Sequence, residues 1–278
     1  MAGAVLWAAA AAWLYGPVLI KMVRTWVTDP TYSHGFFVLA IALALIWRRR
    51  REFSAAPREP AAAGLVVVGF GLLLFVLGTL AAELFSIRVS LIVELAGTIL
   101  YAEGRSRLRI VAFPLAFLLL MIPLPAIVFD RIAVSLQLIA SSWGERLLQT
   151  AAIPVLRDGN VLTLTNATLE VNDACSGIRS VFALLGVALL LGQITRAPRW
   201  RQATVAVLAI PLAVLLNAVR IAFTGCAVSY FGPAAARGLF HEASGFLVFI
   251  VALGGLWTLH SATDWRGRGT AEIECHAG

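Results

Sequence analysis

Three short stretches of the sequence carry side chains suited to acyl-transfer chemistry. In Glu170-Val-Asn-Asp-Ala-Cys-Ser-Gly-Ile-Arg-Ser180 a polar, turn-rich segment gives way to an apolar helix. Asp173 or Asn172 is the expected N-cap, which puts Cys175 in the first helical turn. There the helix dipole and the free backbone N–H groups favour thiolate over thiol, and the same donors can hold an oxyanion. Gly177 lets a second stretch of chain come close. The competing reading is a packed, inert thiol, which is what most free cysteines are. In Leu216-Asn-Ala-Val-Arg-Ile221, Arg220 lies inside an apolar run, where a charge costs about 2.5–3.5 kcal/mol on the insertion scale. Such an arginine either serves a partner or a site, or snorkels to the interface. Asn217 precedes it by three residues and shares its helical face. In Phe240-His-Glu-Ala-Ser-Gly-Phe246, His241 opens a further apolar helix. Beside a thiol an imidazole acts as general base or as imidazolium partner; alone, it is a solvated residue at a helix start.

Other candidates stand around these three. Arg179 follows Cys175 by four residues and is expected on the same helical face, near the thiolate, a substrate carboxylate or lipid headgroups. Ser176 belongs to the same stretch. His34, in Tyr32-Ser-His-Gly35, either borders the site or makes structural hydrogen bonds. Asp173 and Glu170 read as a cap and a hairpin contact, and Cys226 as a small packing residue. Cys275, His260 and His276 fall on the opposite side, with His260 ending the last helix. Three scattered cysteines make neither a disulfide framework nor a CxxC site. With no cluster at metal-ligand spacing, neither a metal nor another cofactor is expected.

The elements that must position these residues are membrane helices. Hydrophobic residues make up 60% of the chain and charged ones 13%, with mean hydropathy +0.88, against about 25% charged in water-soluble domains. More apolar surface than one core can hold calls for lipid as solvent. The formal charge of +7 lies in short clusters between apolar runs and forms no single patch, which argues against nucleic acid. Eight segments of roughly spanning length are expected: Ala4–Met22, Ser33–Trp47, Ala61–Ala82, Ile87–Tyr101, Leu108–Leu124, Gly177–Thr195, Ala203–Thr224 and Ala243–His260. Arg48 to Arg51, Arg105 to Arg109, Arg196 to Arg201 and Arg266 with Arg268 follow every second one. By the positive-inside rule these loops and both termini are cytoplasmic. Lys21 and Arg24 are a mild exception.

That topology puts Val23–Tyr32, Glu83–Ser86, Pro125–Ser176 and Gly225–Glu242 outside, and brings Cys175, Arg220 and His241 to one side and one depth. Within the long outer segment, 126–150 is amphipathic and suits an interfacial helix. Alternation over Val161–Val171, around Asn166-Ala167, predicts a β-hairpin feeding into Cys175. The fold class is therefore an all-α polytopic membrane protein with an outer amphipathic helix and a small hairpin, one transmembrane domain over residues 1–278.

Asn172-Asp-Ala-Cys-Ser-Gly-Ile-Arg-Ser180, Asn217-Ala-Val-Arg-Ile221 and His241-Glu-Ala-Ser-Gly-Phe246, in that order, resemble the three signature motifs of the exosortase/archaeosortase family. Tyr32-Ser-His-Gly-Phe-Phe37 and Met121-Ile-Pro-Leu-Pro125 fit as well, so the resemblance runs from about Trp26 to Phe246. It implies Cys175, Arg220 and His241 as the catalytic set of a cysteine protease or transpeptidase in a bacterial inner membrane. The implied substrates are exported proteins with a C-terminal sorting tail: a Pro-Glu-Pro-like motif, a membrane helix and a basic cluster. The implied outcome is cleavage near that motif and transfer to a surface acceptor, a polysaccharide or a lipid. Membrane lipids are the remaining expected partners.

Two rival readings come from other classes. Arg88, Glu94, Arg179 and Arg220 near membrane depth suit a transporter, although no pair of interrupted helices suggests inverted repeats. A non-catalytic scaffold of a polysaccharide-export system predicts that Cys175 is dispensable.

Overall fold

The structure, a computed structural model, describes residues 2–171, 177–233 and 239–276. The chain folds as two compact units, 1–128 and 129–278. The first holds α1 (Ala2–Thr28), α2 (Gly35–Arg48), the short α3 (Arg50–Ala55), α4 (Ala63–Leu80), α5 (Leu84–Ala102), α6 (Arg105–Phe117) and a 3-10 turn (Leu118–Met121). The second holds α7 (Ala126–Thr150), strands β1 (Val155–Asp158), β2 (Val161–Leu164) and β3 (Thr168–Glu170), then α8 (Ile178–Ile194), α9 (Arg199–Phe231) and α10 (Leu239–His276). Among the described residues, α4, α5, α7, α9 and the Ala243–Thr263 stretch of α10 are long and apolar enough to cross a membrane, while α2 and α8 are shorter apolar helices.

Several expected boundaries shift, each for a local reason. The fifth expected span, Leu108–Leu124, is α-helical only to Phe117, because Pro123 and Pro125 beyond the 3-10 turn cannot continue a helix. The stretch Val23–Tyr32, expected outside, is helical through Thr28. The seventh segment runs on to Phe231, where Gly232 at φ +84 stops it, so Cys226 lies within a helix and the expected outer loop from Gly225 is shorter. The last helix passes through His260 without ending there.

In the first unit α4 lies against α5 along a glycine ridge. Gly64, Gly71 and Gly78 are the buried residues of α4, seven apart. A Cβ on Gly71 would meet the Glu94 side chain at 2.8 Å and one on Gly78 would meet Ile87 at 2.8 Å, so the close helix approach needs glycine there. Opposite, Tyr15 of α1 hydrogen-bonds Ser90 at 2.9 Å. One end of the unit collects its arginines. Arg49 donates to the Ile110 carbonyl at 2.9 Å, Arg107 to that of Ala56 at 3.1 Å and Arg58 to that of Ala102 at 3.0 Å. Arg58 and Arg107 also pair with Glu103. The basic clusters after α2 and after α5 thus share one end, as the positive-inside pattern requires.

The opposite end ties together two stretches that the sequence singles out. Trp26 donates its indole N–H to the Met121 carbonyl at 3.0 Å, and its ring lies beneath Gly35, where no side chain would fit. The ring nitrogens of His34 face the carbonyls of Thr31 and Leu120, each at 3.0 Å. Carbonyls only accept, so a neutral ring satisfies one of them and the imidazolium both.

At the start of α5, Glu83 caps the helix, accepting from the backbone N–H of Phe85 at 2.8 Å and Ser86 at 2.7 Å. Burial works the other way, but the bonds from Ser86 and Phe85 and the Arg88 charge hold its carboxyl below the ordinary 4.5. A depressed carboxylate stabilises above its unfolded-state pKa and loses that stabilisation as pH falls through the folded value. Glu83→Ala is therefore expected to cost about 1 kcal/mol at neutral pH, and the gap from wild type should close in acid below pH 4.5. Thermal unfolding in detergent across pH checks both points. A pH-independent gap rules out the capping account.

Candidate active site

The second unit is built around α9. Alanines make its inner face: Leu184 and Ala188 of α8, Val205, Ala206, Ala209 and Ala213 of α9, and Ala252 and Leu256 of α10 form one core. Small side chains let the three helices pack closely. A second core gathers Ala140 and Leu148 of α7, Ile153, Leu162, Leu164, Val171, and Ile221, Ala222 and Val228 of α9. Here again glycines set the spacing. A Cβ on Gly144 would meet Ile221 at 2.8 Å and one on Gly225 would meet Leu148 at 2.8 Å. The helix over 126–150 has the expected bounds and buries a stripe of mostly small residues: Ala133, Gln137, Ala140, Ser141, Gly144 and Leu148.

The expected hairpin is present as β2 and β3, with Leu162 opposite Leu169, and a third strand adds to it. β1 pairs antiparallel with β2 through a Gly159-Asn160 turn in which Gly159 has φ +60. That dipeptide is a hairpin signal in its own right, and it was the clue to β1 in the sequence. Two asparagines fasten the sheet. Asn166 donates to the Val228 carbonyl of α9 at 3.0 Å. Asn160 exchanges bonds with Val171, its side chain donating at 3.1 Å and its carbonyl accepting at 2.9 Å. The chain approaching Cys175 is therefore held at Val171.

Cys175 lies outside the described residues, as do Asp173, Asn172 and Ser176. The helix that follows begins at Ile178, and its N-cap is Gly177 at φ +80. The cap expected at Asp173 or Asn172, with Cys175 in the first turn, lies outside the described residues. Whether Cys175 shares a helical face with Arg179, as expected, falls outside them too. Arg179 is exposed in the first turn of α8. Gly177 does admit a close neighbour: a Cβ there would meet the Cβ and Cγ of Asn217 at 3.0 Å. Asn217 is 3% exposed in α9. Gly177→Ala is expected to cost about 1–3 kcal/mol through the forbidden φ and this clash, read as a lower melting temperature in detergent. Unchanged melting means the segment can move away from Asn217.

Arg220, three residues after Asn217, is half-buried. Its guanidinium lies over Gly245 of α10, where a Cβ would meet Cζ and Nη2 at 3.4 Å and Nε at 3.6 Å. Ser244 beside it is buried. His241 is in the first turn of α10, one turn before Gly245; its side chain lies outside the described residues. The structure thus brings the Gly177 segment to Asn217 and the Gly245 segment to Arg220, joining the three motif-bearing stretches. Sequence reasoning passed over Gly245. Its signal was the Ser244-Gly245 pair four residues after a helix-start histidine. His34 belongs to the first unit, with its ring bound as described above.

At the other end of the bundle, Arg201 of α9 and His260 of α10 are 7% and 5% exposed, with Nη2 of Arg201 2.8 Å from Nε2 of His260 and 3.2 Å from its carbonyl. Arginine can only donate, so this Nε2 is the acceptor of a neutral ring. His260 is a buried partner between helices, not the helix end it was expected to be.

No curated protein and no solved structure is significantly similar to the chain. The sequence model of the transmembrane exosortases matches residues 26–258, most of its length. With its apolar helices, its small sheet and its joined motif segments, the chain belongs to the transmembrane exosortase family.

Proposed function

We propose that this exosortase is a cysteine protease or transpeptidase of the bacterial inner membrane, acting on its outer face with both termini cytoplasmic. Residues 1–278 act as a single transmembrane domain in this reading. Its substrates are exported proteins with a C-terminal sorting tail, and a surface polysaccharide or lipid is the acceptor. The observation that carries the reading is the pair of close approaches, Gly177 to Asn217 and Gly245 to Arg220. Two residues of chain span at most about 7 Å, so connectivity keeps Cys175 near Gly177. One helical turn separates His241 from Gly245. These approaches support a site shared by Cys, Arg and His from three segments.

In the proposed reaction the Cys175 sulfur attacks the carbonyl carbon of the scissile peptide and its proton passes to His241. The resulting oxyanion is held by Arg220 and by backbone N–H groups. The C–N bond then breaks as His241 returns the proton to the leaving amine, leaving a thioester on Cys175. An amine, a hydroxyl or water attacks that thioester and regenerates the thiol. Asn217 positions Arg220 and the Gly177 turn. Asp173, Ser176 and Arg179 shape the substrate's approach, and His34 secures the loop before α2.

The test is co-expression with a tailed protein from the same genome, followed by intact-mass analysis. Trimming plus an adduct supports transfer, and trimming alone supports hydrolysis. Added hydroxylamine should divert the product to a hydroxamate, the signature of a thioester. An untouched tail across every tripartite candidate in the genome removes the enzyme reading.

A further inference from the structure

Arg88 is the most anomalous charged residue of the first unit. It sits in a membrane-length helix, is 7% exposed, and its Nε is enclosed without a partner. No described group hydrogen-bonds to that Nε. Its electrostatic neighbours are the Glu83 carboxylate and the Tyr32 hydroxyl. The Glu83 carboxylate is engaged by the N–H groups of Phe85 and Ser86. A guanidinium has five donors in a planar fork, and burying it short of acceptors in a membrane is costly. An anion with several oxygens would satisfy it.

Position points to the kind of anion. Arg88 lies four residues into α5, about 6 Å from its start, at the end of the unit away from the arginine cluster. That depth is where phospholipid phosphates meet acyl chains. Apolar surface for the chains flanks it: Leu80 is 79% exposed and Leu84 40%. We propose that Arg88, between Glu83 and Tyr32, is a binding site for the phosphate of an anionic membrane phospholipid. This site is independent of Cys175 and of whether the protein cleaves anything.

The test uses full-length protein, delipidated in detergent, with melting followed on adding phosphatidylglycerol, phosphatidylcholine or inorganic phosphate. Phosphatidylglycerol at about a hundred-fold over its dissociation constant should raise the melting temperature by about 5–10 °C. Phosphatidylcholine should do less and inorganic phosphate nothing. Arg88→Gln should abolish the rise and Arg88→Lys keep part of it. Without lipid, Arg88→Gln should melt close to wild type, because removing a buried charge short of hydrogen bonds offsets losing its attraction to Glu83. A lipid-free variant that melts well below wild type would make Arg88 a structural residue and overturn the proposal. So would equal lipid responses in wild type and Arg88→Gln. An Arg88-dependent response to inorganic phosphate matching that to lipid overturns the lipid assignment in favour of a free anion.

Discussion

Cys175→Ala should lower processing of a tailed substrate by at least about 1,000-fold at matched membrane abundance. The proposed thioester has no other sulfur from which to form: Cys226 packs against the α7–sheet core, and Cys275 lies near the far end of α10. Removing the nucleophile therefore removes the covalent route, and the remaining groups can only polarise a carbonyl for water. Cys175→Ser should be nearly as inactive, because a hydroxyl near neutral pH supplies almost no anion. The features that hold the segment are the Val171 bonds to Asn160 and the Gly177 turn against Asn217. Neither involves the thiol, so both variants should accumulate like wild type. Intact-mass analysis of the substrate reads the outcome, and equal trimming by Cys175→Ala would sink the mechanism while leaving family membership untouched.

Arg220→Lys should lose about 100- to 1,000-fold in kcat, close to the loss in Arg220→Gln, even though lysine keeps the charge. The reason is the shape of the contact. A flat guanidinium lies over Gly245 with Cζ and Nη2 3.4 Å from where a Cβ would stand. A round ammonium on a flexible stem cannot hold two donors in that plane. Gly245→Val presses the same point from the other side, lifting the guanidinium off α10, and should depress kcat more than it raises KM. Kinetics of the variants with a short tailed substrate in detergent would separate these cases. Near-wild-type turnover by Arg220→Lys would mean that Arg220 acts as a point charge toward the thiolate, and the oxyanion role would fall.

How much of this was legible beforehand follows from the range of the forces involved. Helices such as α4 and α5 announce themselves because twenty apolar residues in a row have one economical solvent. The arginine runs predicted which loops share an end, and the structure gathers Arg49, Arg58 and Arg107 at one end of the first unit. The β2–β3 hairpin was visible in its alternation. The expected span Gly177–Thr195 matches α8 at Ile178–Ile194. What the sequence did not show is the packing there: the left-handed turn at Gly177 lets Asn217 of α9 come within 3.0 Å of where a Cβ would be, a contact between residues forty positions apart.

The sequence by itself determined the solvent, the helical class, the family and the order of the three motif segments, since composition, periodicity and local spacing carry that information. Only the tertiary structure decided that Gly245 carries the Arg220 guanidinium, that His260 is buried against Arg201, and that Arg88 is buried with its Nε unpaired among the described residues. Each of these depends on which faces of distant helices meet. Small residues set that meeting by letting backbones approach, and one glycine among 23 looks like any other until its neighbour is known.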